Sequence, residues 1–174
     1  MTQFGFSFDL SRCSGCMACV VTCMDQNDLS GDGPSFRQVI RLEKGEYPAT
    51  QLSFVSLACF HCSDAPCLSV CPKGAIFRDN EWDVLAVDDG LCIGCRACAM
   101  VCPFGSPQFR PREKMSKCNF CLDRLTHGME PACVHTCTTK ALGFGVLEEL
   151  SREKAEKASE MFLNGFVPVQ VKMK

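Results

Sequence analysis

Sixteen cysteines stand in four groups of four, and none is left over. Cys13, Cys16, Cys19 and Cys23 are spaced C-x2-C-x2-C-x3-C, and Cys92, Cys95, Cys98 and Cys102 repeat that spacing. Cys59, Cys62, Cys67 and Cys71 widen the second gap to four residues; Cys118, Cys121, Cys133 and Cys137 widen it to eleven. Three thiolates two residues apart on a tight loop can wrap three corners of an iron–sulfur cubane, while the loop aims its N–H groups at the sulfurs. The fourth, a helical turn beyond the third, points away. This is a ligand supply for four [4Fe–4S] clusters, and their chemistry is electron transfer.

The details fit. Gly15 in C-S-G-C and Gly94 in C-I-G-C let the backbone approach closely. Pro72 and Pro103 follow the last cysteine of groups two and three, as in bacterial ferredoxins, whereas Met24 and Thr138 follow it in groups one and four. A disulfide scaffold needs an oxidising compartment, and the segment 1–6 has no basic n-region leading into an apolar stretch. Zinc sites pair two C-x2-C knuckles across a long gap, which only group four resembles. Scattered buried thiols would not repeat a spacing four times.

A length of 174 residues suggests one or two small domains. Hydrophobic residues make up 47% of the chain, but that share counts the thiols. The aliphatic core is therefore thin, the clusters should serve as core, and the cluster-free chain is expected to be unfolded or molten. The formal charge of −2 treats cysteine as neutral. Four oxidised clusters at about −2 each bring the total to about −10. Arg110, Arg112, Lys114, Lys117 and Arg124 gather around the start of group four. They are expected to compensate cluster charge, not to bind nucleic acid. No apolar run approaches membrane-spanning length.

The elements that must position these loops can be read in outline. Strands are expected at 4–10, 36–42 and 52–57, a hairpin at 75–87, and short helices at 18–24 and 96–101. One long helix is expected at 147–163, with Gly165 as its stop and Pro168 blocking continuation. Groups two and three lie close together, joined by strand-like segments. The resulting fold class is α+β: two bacterial-ferredoxin-like modules, one inserted into the other, with a C-terminal helix. Residues 1–49 and 108–146 form the split module, 50–107 the inserted one, and 147–174 the C-terminal helix and tail.

His61, His127 and His135 are expected to form local hydrogen bonds, since each cluster already has four thiolates. Trp82 is read as a packing residue, with an interface anchor as the alternative. Asp123 and Arg124 are read as a surface pair or a partner contact. There is no nucleophile–base constellation and no phosphate-binding glycine loop, so the chain is not expected to be catalytic alone. Leu147, Leu150, Ala158, Met161 and Phe162 form a face that either docks a partner or covers the chain's own core.

The order of the four groups and the phrases F-D-L-S-R-C-S-G-C-M-A-C, C-x-H-C-x3-P-C, D-x3-C-I-G-C-R-A-C-x3-C-P-F and K-C-x2-C-x-D-R carry a resemblance over roughly residues 6–145. The chain resembles the four-cluster iron–sulfur subunits of molybdenum and tungsten oxidoreductases, the dimethyl-sulfoxide reductase iron–sulfur subunit family. The resemblance implies four ligand sets: Cys13, Cys16, Cys19 and Cys137; Cys118, Cys121, Cys133 and Cys23; Cys59, Cys62, Cys67 and Cys102; and Cys92, Cys95, Cys98 and Cys71. It implies a chain of clusters and a molybdenum- or tungsten-pterin catalytic subunit as partner, nearest to the first set. The compact length points to a tungsten aldehyde oxidoreductase. Formate dehydrogenase, hydrogenase, sulfur or dimethyl-sulfoxide reductase subunits and a free polyferredoxin stand as alternatives. A flavin subunit as acceptor, self-association through residues 147–174 and a cytoplasmic location in anaerobic metabolism complete the expectations.

Overall fold

The computed structural model describes residues 2–29, 31, 33–109 and 114–166, with side chains through residue 163. The fold is α+β. Among the described residues the strands form four separate two-stranded antiparallel sheets. β1 (Phe4–Phe8) pairs with β8 (Leu142–Val146), with Phe6 opposite Phe144. The first strand is thus stitched to the segment that follows the last cysteine. β2 (Gln38–Lys44) pairs with β3 (Gln51–Leu57), β4 (Ile76–Arg78) with β5 (Leu85–Val87), and β6 (Gln108–Phe109) with β7 (Met115–Ser116).

Two strands differ from expectation at their ends, for local reasons. β1 stops at Phe8 because the Asp9 carboxylate accepts the Ser11 N–H (3.0 Å) and caps a 3₁₀ turn at Leu10–Arg12. β2 starts at Gln38, not at residue 36. The Ser35 hydroxyl donates to the Arg37 carbonyl (2.6 Å) and accepts the Arg37 N–H (3.2 Å), which gives that backbone an alternative to strand pairing.

The helices that carry or follow the cysteines are short: α1 (Ala18–Gln26), α2 (Pro66–Ser69), α3 (Ala97–Val101), α4 (Leu122–Thr126), which Cys121 precedes, and α5 (Ala132–His135). α1 packs on α5, and α2 on α3. The buried residues form three clusters, and each contains cysteines. The largest aromatic contribution lies in the third, where Phe120 meets Phe6 edge-on (4.9 Å between ring centroids) and Phe144 (5.1 Å). Trp82 is a packing residue there, its ring 5.3 Å from that of Phe4.

The last helix, α6 (Leu147–Phe166), packs on β1 and β8. A Cβ on Gly5 would lie 2.6 Å from the Leu147 side chain, and one on Gly145 would lie 3.7 Å from Leu150. From residue 151 to 163 every side chain is exposed. Leu147 and Leu150 of the expected apolar face therefore lie against the chain's own β1 and β8. The helix also runs through Gly165, which is not its stop; a glycine inside a helix costs only about 1 kcal/mol. Pro168, the tail 167–174, Arg110 and Arg112 lie outside the described residues. No described helix is long and apolar enough to cross a membrane.

Candidate iron–sulfur sites

The two C-x2-C-x2-C loops have the same backbone. Gly15 and Gly94 sit at φ +70° and +68° within the first gap. Met17 and Arg96, at φ 64° and 65°, occupy the second gap and open α1 and α3. The left-handed residues curl each loop so that three thiols converge. The fourth cysteine is carried past them, Cys23 within α1 and Cys102 at the end of α3.

The converging thiols line three clefts of similar size. Cys13, Cys16 and Cys19 are joined by Cys137 around ≈ 340 Å³ of space walled by Phe8, Val39 and Leu142. Cys59, Cys62 and Cys67 are joined by Cys102 around ≈ 340 Å³ walled by Leu85 and Phe104. Cys92, Cys95 and Cys98 are joined by Cys71 around ≈ 360 Å³ walled by Ile76, Val87 and Met115. In each cleft the fourth thiol comes from a different cysteine group. The remaining four also meet: Cys23 lies near Cys133 and Cys121, and Cys118 near Cys133, close enough for their charges to act on one another. All sixteen cysteines are free thiols.

The surroundings suit thiolates that share their charge with metal. Burial pushes the Cys118 thiol up to about 12, and the Cys23 and Cys98 thiols up to about 11. An uncompensated thiolate is therefore unfavourable at these positions. Burial raises Cys71 as well, but backbone N–H groups of Lys73, Ile76, Ala75 and Gly74 outweigh it and hold the thiol below its ordinary value. Cys137 repeats that balance: burial raises it, and the N–H of Leu142, the Thr139 hydroxyl and the N–H groups of Ala141 and Thr139 bring it down. Further N–H groups reach sulfur from Ser106 to Cys102 and from Met115 to Cys92, each at 3.5 Å. Four thiols, apolar walls and converging N–H donors fit a cubane in every cleft.

The thiols also report which sets are neighbours. Cys19 of the first cleft feels Cys133. Cys118 feels Cys59 of the second cleft. Cys98 of the third feels Cys67 of the second. The first cleft and the Cys23 set, the Cys23 set and the second cleft, and the second and third clefts therefore each have thiols close enough for their charges to act on one another.

Residues 50–147, more than half of the chain, match a family model described as a 4Fe-4S dicluster domain, and residues 12–75 match a second model of that description. The chain is 38% identical over 167 residues to the B subunit of the anaerobic dimethyl sulfoxide reductase of Escherichia coli (strain K12), covering 91% of this chain and 80% of that protein. It belongs to the 4Fe-4S dicluster electron-transfer subunits. This dicluster subunit is also similar to the thiosulfate reductase electron transfer subunit PhsB of Salmonella typhi, 43% identical over 150 residues, 84% of this chain and 78% of that one. Protein NrfC of Escherichia coli (strain K12) is 40% identical over 154 residues, 87% and 69% of the two chains. The sixteen cysteines of the dicluster subunit serve four [4Fe–4S] clusters, each of which accepts and releases an electron when bound. The polypeptide supplies the thiolates, excludes water with apolar walls and donates N–H groups to sulfur.

The other candidate residues take structural places in the dicluster subunit. His61 is buried; its Nδ1 accepts the Leu85 N–H (3.0 Å), and its ring lies 3.8 Å from that of Phe120. Burial, with Lys117 and Arg78 nearby, holds it well below the usual histidine value, so it is neutral. The exposed His127 meets the Asp123 carbonyl, and His135 is exposed at the end of α5. Asp123 and Arg124 do not pair among the described residues. Arg124 instead donates to the Glu130 carbonyl (2.9 Å) and to Gln26 (3.4 Å), which ties α4 to α1. Lys117, of the expected basic group, is buried against the carbonyls of Leu85 and Cys118, and its charge favours the Cys67 thiolate against the larger effect of burial. Sequence reasoning missed Arg78, which pairs with Asp83 (3.3 Å) and donates to the carbonyls of Cys62 (2.5 Å) and Ser63 (3.1 Å), pinning the second cysteine loop to the β4–β5 hairpin. It also missed Arg37, buried beside the first cleft. A cation inside a strand-like run gives no sequence signal of burial.

Proposed function

We propose that the chain is the electron relay of a complex whose catalytic subunit carries a molybdenum- or tungsten-pterin cofactor. One observation supports this reading: thiols of successive sets lie close to one another, first to second, second to third and third to fourth, as a path for electrons with two distinct ends requires. The sets follow the order Cys13, Cys16, Cys19, Cys137; Cys118, Cys121, Cys133, Cys23; Cys59, Cys62, Cys67, Cys102; and Cys92, Cys95, Cys98, Cys71. The pairing of β1 with β8, and of α1 with α5, supports a split outer module at 1–49 and 108–146. The β4–β5 hairpin and the α2–α3 contact support an inserted module at 50–107.

Exposed apolar residues at the clefts favour a docked subunit over a free polyferredoxin. Phe60 and Phe104 meet with their rings tilted, 4.3 Å between centroids, on the rim of the second cleft while about half exposed, and Ile93, on the third, is 59% exposed. Relatives named for dimethyl sulfoxide and thiosulfate reductases favour a reductase as partner. A tungsten aldehyde oxidoreductase is the alternative partner. A flavin subunit as the second partner, self-association through 147–174 and a cytoplasmic location belong to the same proposal; the exposed length of α6 supports a contact beyond this chain.

The experiment is anaerobic affinity purification of the tagged chain from its native host, with metal analysis and sequencing of what comes with it. A stoichiometric partner containing molybdenum or tungsten and pterin supports the proposal. A chain that purifies alone, fully loaded and able to pass electrons between separate enzymes, is a free polyferredoxin.

A further inference from the structure

The guanidinium of Arg37 is almost wholly buried, at 2% exposure, with no carboxylate partner among the described residues. A buried cation without a counter-charge is costly, so something must compensate it. Its Nη1 donates to the Ser56 hydroxyl (3.1 Å), and its Cζ lies 4.3 Å from the centre of the Phe6 ring. Its Nε and Nη2 are buried and meet no acceptor among the described residues.

The thiols around it belong to two ligand sets. Ser56, which Arg37 holds, lies 3.6 Å from the Cys19 sulfur. The backbone N–H of Arg37 reaches Cys23, and its charge acts on Cys19, Cys23, Cys118 and Cys121. Cys19 lies in the first set, and the other three in the second. Lys117, the other buried lysine or arginine among the described residues, donates to the carbonyls of Leu85 and Cys118. Arg37 is thus a buried cation with two free donors at the junction of two strongly anionic groups.

We propose that Arg37 is a positioning residue that sets the potentials of the first two clusters, its free Nε–H and Nη2–H donating to sulfur there and its charge stabilising the reduced state. This rests on the ligand sets proposed above. Adding an electron makes a cluster more negative, and a fixed cation and N–H donors favour that state. An arginine suits the place because its planar fork serves two neighbouring anions at once.

The test is a redox titration of the anaerobically purified complex, followed by electron paramagnetic resonance, in wild type, Arg37→Gln and Arg37→Lys. The signals are first assigned with Cys16→Ser and Cys95→Ser, which touch opposite ends of the row. Arg37→Gln should disfavour reduction of the first two clusters by at least tenfold, about 59 mV for one electron, and leave the other two in place. Arg37→Lys should move the same two clusters in the same direction by less. Unchanged potentials in a fully loaded variant, or equal shifts at all four clusters, overturn the proposal. If Arg37→Gln does not load, Arg37→Lys decides alone, and an unchanged first pair of potentials overturns it. Failure of the ligand sets themselves is seen separately, as Cys16→Ser or Cys95→Ser altering signals that do not lie at opposite ends.

Discussion

Met17 and Arg96 share one backbone conformation, φ 64°, ψ 0° and φ 65°, ψ 5°. Each is a non-glycine residue held in the left-handed region, where it costs of order 1–3 kcal/mol unless the surroundings compensate. Each opens the helix that carries the next cysteine. The agreement extends outward: Asp9 N–H donates to the Ala141 carbonyl and Asp88 N–H to the Ala75 carbonyl, both at 2.8 Å. The same ligand-bearing geometry is therefore built twice, once with the residues that follow Cys137 and once with those that follow Cys71. This repetition supports exchange of the fourth cysteine in both halves.

Exchange makes a specific prediction for Cys71→Ser. Iron should fall from about sixteen per chain to about twelve, because one of four cubanes is lost or degraded. The spectroscopic signal that changes should be the one also changed by Cys95→Ser, not the one changed by Cys62→Ser. Iron analysis and electron paramagnetic resonance of the three variants check it. A match between Cys71→Ser and Cys62→Ser would mean that group two keeps its own fourth ligand.

Gly15 and Gly74 separate two effects. A Cβ on Gly15 would meet the Phe54 ring at 2.5 Å and sit at φ +70°, whereas one on Gly74, at φ +59°, would meet nothing within 4 Å. Gly74→Ala should cost about 1 kcal/mol from backbone strain alone. Gly15→Ala should cost more, on the order of 2–4 kcal/mol, because the β2–β3 hairpin must also lift from the first cleft. Thermal denaturation of the loaded proteins, with iron counted before and after, measures the difference.

Acid should strip the clusters. Burial raises the Cys23 and Cys98 thiols to about 11 and the Cys118 thiol to about 12, above the ordinary value of 9.0, and the loaded chain binds thiolates, so protons compete with iron. Loss of visible absorbance as pH falls is the expected reading, and absorbance that survives strong acid would contradict it.

Removing the clusters should remove the fold. Each buried cluster of the core contains thiols, two or more in every case, and an empty cleft replaces packed metal with unfilled space. Chelation of iron under reducing conditions should give a molten or unfolded chain by near-ultraviolet circular dichroism and proton NMR. A native-like, dispersed spectrum without iron would show that the polypeptide core suffices.

Much of this was legible in sixteen residues. Cysteine spacing specifies loop geometry closely, because a cubane admits few ways for three thiols to converge, so the helices after Cys16 and Cys95 lie within a few residues of expectation. The strand ends were not legible, since they depend on the Asp9 and Ser35 side chains competing for backbone groups. Gly165 misled because a glycine can end a helix but need not. Arg37 and Arg78 were invisible for a different reason. The burial of Arg37 and the half-burial of Arg78 are created by tertiary packing around the thiols, and the local sequence pattern before β2 and in β4 carries no trace of it. The partner is not encoded in the ligand spacing at all, since the cluster-binding loops serve the row and not the substrate.

The central claim, a row of four cubanes with exchanged fourth ligands, is tested most directly by iron-edge anomalous diffraction from crystals of the anaerobically purified protein. Four compact iron peaks are expected in one line. Cys137 should touch the first, Cys23 the second, Cys102 the third and Cys71 the fourth. Peaks each bound by the four cysteines of a single sequence group, or a branched arrangement, would contradict it.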